Sequence, residues 1–243
     1  MSTTTEQARP AGAGPEPSGP PPLSRGRTLR ACLLVALAFG AGATDIVGFL
    51  GMHQVFTANM TGNIVLFGLA AGEGSGADLA RCGVATLAFA LGALGGFLLA
   101  GTADGRLWPV GVTRTLAAGL VVQAAFLAGW IAADARPGGG ALLALIALSA
   151  AAMGVQSAAA RGLTSDAVST TFVTGTLTSM MGALATGSAQ GAGLRTATIA
   201  ALAAGAAAGG ALMGPAPEAA AAIGPAITVA VIALAFRLHR HPG

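Results

Sequence analysis

The sequence predicts an all-α, polytopic transmembrane helical bundle. Three observations carry that prediction. Charged residues make up only 9% of the 243-residue chain, against 54% hydrophobic ones, where water-soluble domains carry roughly a quarter charged residues. The mean hydropathy is +0.74. Long apolar runs recur along most of the chain and are continuous rather than alternating, which fits spanning helices and not a β-barrel.

The elements follow in order. Residues 1–27 are rich in Pro, Gly, Ser, Thr and Ala, with Pro20, Pro21 and Pro22 in a row, and read as a disordered tail. The first apolar run starts near Leu29, too far from Met1 for a secretory signal, and is long enough to span and stay. Residues 28–238 read as a single transmembrane domain of eight segments. Segments a to d lie at about 29–51, 55–72, 82–101 and 113–133, and a′ to d′ at about 141–160, 168–189, 195–213 and 219–237. Pro and Gly clusters punctuate them, Arg136 to Gly140 between d and a′ and Gly214 to Pro217 between c′ and d′. About 20 helical residues cross the hydrocarbon, so most segments qualify easily and b is the shortest.

All twelve basic residues are Arg, and they lie between apolar runs or at the chain ends. The formal charge of +3 therefore reads as membrane topology rather than nucleic-acid binding. Eight spans with an inside N-terminus split the arginines 9 to 3, and six spans split them 10 to 2. Both arrangements place the two termini in the cytoplasm of a multi-pass plasma (inner) membrane protein. Segments b and b′ are expected to be helical and embedded, with full spanning left open. Cys32 and Cys82 read as small hydrophobes in helices.

A polar pattern occurs twice. Thr44 and Asp45 precede Thr61-Gly62-Asn63 and then Arg81, while Gln156 and Ser157 precede Thr174-Gly175-Thr176 and then Arg195. Asp45 to Thr61 is 16 positions and Ser157 to Thr174 is 17; Thr61 to Arg81 is 20 and Thr174 to Arg195 is 21. The spacing predicts an internal duplication, with repeat 1 at about 29–136 and repeat 2 at about 137–237.

Asp45 is the sharpest residue, because a carboxylate near the centre of a spanning helix costs about 2.5–3.5 kcal/mol on insertion scales. It reads as a proton, cation or polar-solute site, or as a structural group that pairs with an Arg or caps the start of segment b. Asn59 and Asn63 are four apart, so they are expected on one helix face. With Thr61, Gly62, Thr174, Gly175 and Thr176 they form a candidate polar seam, for a solute or for helix packing alone. Arg81 and Arg195 read as interfacial anchors, Arg81 reaching Asp45 only if a helix tilts or b is broken. His53 is expected in an interfacial turn, and His239 and His241 in a basic tail against lipid. Small-xxx-small pairs at Gly92/Gly96, Gly187/Gly191, Gly205/Gly209 and Gly210/Gly214 predict close helix packing. No metal-spaced ligand set, phosphate loop or nucleophile motif occurs, so neither a cofactor, a metal nor an enzymatic activity is expected.

Three stretches together resemble the YoaK-like family of bacterial membrane proteins, a family of unknown function: Ala41 to Asp45, Val55 to Asn63 and Thr171 to Thr178. The resemblance covers about residues 30–237. It implies an inner-membrane protein of six or more helices, and it brings no substrate. The residues themselves favour a secondary transporter of a small solute with a polar site between the repeats, Asp45 being the candidate proton carrier. A non-transporting membrane scaffold or assembly factor is the alternative.

Overall fold

A computed structural model describes residues 25–101, 108–163, 173–187 and 191–240. The fold is all-helical in these residues. α1 is Arg25–Gly51, α2 Met60–Glu73, α3 Gly76–Ala100 and α4 Val110–Ala132. α5 is Gly139–Arg161, α6 Val173–Ala185, α7 Ala192–Met213 and α8 Pro217–Arg240. Helix 1 begins at Arg25, so the last residues of the expected tail are helical; residues 1–24 lie outside the described residues.

Six helices, α1, α3, α4, α5, α7 and α8, are long and apolar enough to cross a membrane. The other two have 14 and 13 residues. At 1.5 Å per residue they reach only about 20 Å, short of a hydrocarbon core of about 30 Å. Segment b is therefore not a continuous span. Val55 to Asn59 approach α2 as irregular chain, and segment b′ is helical over Val173–Ala185 among the described residues.

The chain after α1 folds back along it. His53 and Gln54 take left-handed φ angles of 58° and 61°. The amide of Gln54 donates to the carbonyl of Phe49, and Phe49 stacks on Phe56 at 5.1 Å. Gly48 makes room for the return, because a Cβ there would stand 2.7 Å from the carbonyl oxygen of Val55. Helix 2 then runs back out: its Leu66, Leu69, Ala70 and Glu73 share a surface cleft of about 330 Å³ with His53, Gln54 and the start of α3. α2 is thus a re-entrant half-helix that leaves by the face it entered. Among the described residues, three of the helices long and apolar enough to cross lie before α5 and three lie from α5 onward.

Two tight seams hold the bundle. α1 packs along α7, and α3 packs along α5. A Cβ at Gly42 would strike the carbonyl of Leu202, and one at Gly205 that of Phe39. On the other seam, Gly154 faces the carbonyl of Phe89 and Gly92 that of Ala151. Between helices in lipid, such backbone contact replaces the missing hydrophobic drive. Gly92/Gly96 and Gly205/Gly209 thus pack as expected, whereas Gly187 and Gly191 are left-handed turn residues with nothing near, and Gly214 meets nothing. Helices 4 and 8 touch each other and complete the centre with α1 and α5. Leu37, Val112 and Val231 form one buried cluster, and Met52, Trp130 and Ile146 another.

Candidate functional site

Asp45 sits six residues before the end of α1, roughly 9 Å in along the axis. Its Oδ1 accepts the amides of Thr57 at 2.7 Å and Ala58 at 2.6 Å. Two backbone donors in the returning chain, which no helix or sheet satisfies, are thereby satisfied by one carboxylate oxygen. The local design is complete two residues later. Asn59 is the N-cap of α2, accepting the amide of Gly62 at 3.3 Å. Asn63, fully buried, clasps the backbone of Phe56: its Oδ1 accepts that amide at 2.9 Å and its Nδ2 donates to that carbonyl at 2.6 Å. Asn59 and Asn63 therefore do not share a helix face. One caps the helix and the other ties its first turn to the approach, because α2 starts at Met60 and not at Val55.

A cavity of about 600 Å³ opens beside this elbow. Asp45, Asn59, Thr61 and Gly62 line it from the first half of the chain, and Thr174 at the start of α6 lines it from the second. Phe56, Val65, Leu66 and Leu202 make its walls largely apolar. The starts of the two short helices thus meet at one cavity, at a depth set by Asp45.

The remaining expected site residues lie elsewhere. Thr44 turns away from the cavity and donates to the Gly40 carbonyl of its own helix at 2.9 Å. Gln156 is buried and its Nε2 donates to the Leu37 carbonyl at 3.2 Å, linking α5 to α1. Ser157 is partly buried in α5, and Thr176 is buried in α6. Gly175 follows Thr174 in the first turn of α6. Arg81 does not reach Asp45; it pairs with Asp78 one turn away at 2.7 Å, beside the surface cleft that holds His53 and Glu73. Arg195 donates to the Ser179 carbonyl at 3.5 Å. His239 lies in the last turn of α8, and His241 lies outside the described residues.

Two polar residues that bear on the centre of the bundle were absent from the sequence pattern, Gln123 and Ser149. Each is an isolated polar residue inside an apolar run, and that isolation is the signal for them.

The family described as "Protein of unknown function (DUF1275)" matches residues 33–235. The chain belongs to this family. UPF0700 transmembrane protein YoaK of Bacillus subtilis (strain 168) is 37% identical over 152 residues, 63% of this chain and 66% of the relative. The chain thus spans just under two thirds of that relative's length. No solved structure matches. The DUF1275 match begins in α1 and ends in α8, so it takes in the elbow, both seams and the cavity.

Proposed function

We propose that this protein is a membrane carrier for a small polar solute, built from two inverted halves, with its solute site in the cavity between the starts of α2 and α6. One observation carries the reading. Asp45, Asn59, Thr61 and Thr174, from both halves of the chain, line a single cavity of about 600 Å³ beside the elbow. Interrupted short helices that expose polar groups near mid-membrane are the usual architecture of carrier binding sites. An ionisable side chain placed there is costly and is retained where it serves a pathway.

The seams support the inverted halves. Gly42 meets Leu202 and Ala206, and Gly154 meets Phe89 and Ala93. Gly209 meets Ala43 and Ile46, and Gly96 meets Val155 and Ala158. Adding 112 to a position in α1, or 113 to one in α3, converts each contact into its counterpart. With six crossings, ten arginines fall on the side of the chain ends and two, Arg81 and Arg136, on the other, which supports cytoplasmic termini.

A second reading has its own support. Asp45 and Asn63 both hold backbone in place, as they would in a scaffold that transports nothing. Flux separates the two. Purified protein in proteoliposomes is assayed against a panel of small polar solutes, with and without an imposed pH gradient. The carrier reading expects accelerated flux of at least one solute, with the drive by the pH gradient lost in Asp45→Asn. It also expects Thr174→Phe, which fills the cavity, to stop flux without lowering the thermal midpoint. Absence of flux across the panel leaves the scaffold.

A further inference from the structure

The four central helices enclose a second polar place, on the opposite side of α1 from the elbow cavity. Gln123 of α4 and Ser149 of α5 are 5% and 2% exposed. The Oε1 of Gln123 and the Oγ of Ser149 have no hydrogen-bond partner among the described residues. Both line a small cavity, which leaves about 10 Å³ free to the centre of a water-sized sphere. Pro225 lies inside α8 and has no N–H to give to the carbonyl of Ala221, and both residues line the cavity.

The donors and acceptors decide what fits. Gln123 Oε1 and the Ala221 carbonyl only accept, and the Ser149 hydroxyl can donate. Thr44 also lines the cavity, but its proton is committed to Gly40. A water molecule has two protons to give and lone pairs to receive a third. The room is that of about one water, and buried polar groups left without partners are rare in native proteins. A cation would exchange its hydration shell for neutral oxygens alone, because the nearby carboxylate, Asp45, lines the other cavity.

We propose that one water molecule occupies this cavity and joins Gln123, Ser149 and the Ala221 carbonyl, tying α4, α5 and α8 together beside Pro225. The proposal stands whether or not the protein transports a solute.

The sign of two substitutions tests it. Thermal unfolding of the full chain in detergent or nanodiscs is compared for Ser149→Ala, Gln123→Met and the double variant. A bridging water predicts that each single variant lowers the midpoint by roughly 3 °C, and that the double loses less than the sum. A dry cavity predicts the opposite sign: removing an unpartnered buried group leaves the midpoint unchanged or raises it, and the two effects add. That result overturns the proposal. So does a midpoint in the wild type that moves when sodium or potassium replaces choline, if Ser149→Ala abolishes the response. If Gln123→Met does not fold, the sign for Ser149→Ala decides alone. A density map at high resolution gives the independent check: a peak about 2.8 Å from Gln123 Oε1 supports the water, and an empty cavity rejects it.

Discussion

After α1 the chain turns back over Met52 to Asn59, and Asp45 grips it through the amides of Thr57 and Ala58. After α5 the position that spacing matches to Asp45 is Ser157, whose Oγ is buried without a partner among the described residues. The flanking seams, by contrast, correspond contact by contact. Backbone approach between spanning helices needs only small residues in register, and both halves supply them. An elbow needs an acceptor for stranded amides, and an ionised carboxylate is the strongest one. A hydroxyl gives one weaker acceptor. At the matched positions the carboxylate is thus found in α1 alone, while the packing is shared by both seams.

Substitutions can break that contrast. The largest effect is expected at the elbow: Asp45→Leu strands two amides and costs about 3–5 kcal/mol, while Ser157→Ala costs under about 0.5 kcal/mol. Equal losses in denaturant unfolding would erase the difference between the two positions. At the seams the halves are expected to respond alike. Gly42→Ala and Gly154→Ala each force a Cβ against a backbone carbonyl and cost about 1–3 kcal/mol, with midpoints that agree closely. Asn63→Ala comes next, at about 1–2 kcal/mol, and faster amide exchange at Phe56 would locate the loss in the elbow. Arg81→Gln is expected to cost under about 1 kcal/mol, since it breaks a single partly exposed pair with Asp78. Its effect should fall further at high salt.

The spans were legible because apolar length alone specifies them. The α1–α2 elbow was not, for two physical reasons. His53 and Gln54 adopt left-handed backbone without a glycine or proline to mark the turn. Val55, Phe56 and Ala58 are apolar, so an irregular approach reads as the start of a helix. Asp45 as a cap on that approach was legible as one of two roles, and the geometry places it there while also setting it on the cavity wall. Gln156 matched its counterpart by spacing, yet hydropathy and period do not encode which side of a helix faces a cavity and which a neighbouring carbonyl. Burial on both sides of α5 leaves no amphipathic signature to read.

The crossing of the seams has a consequence for biosynthesis. The Gly42 seam of α1 closes only on α7, 160 positions later at Leu202. At about 5–20 residues per second, synthesis of that interval takes roughly 10–30 s. During it the glycine face of α1 has no protein against it, and lipid or the insertion machinery must cover it. Helix 3 waits far less, since only α4 and its two flanking connections separate it from α5. The seam that forms last therefore belongs to the helix that carries Asp45, and a nascent chain that stops before Ala192 lacks Leu202 and Ala206, which share the cavity wall with that carboxylate.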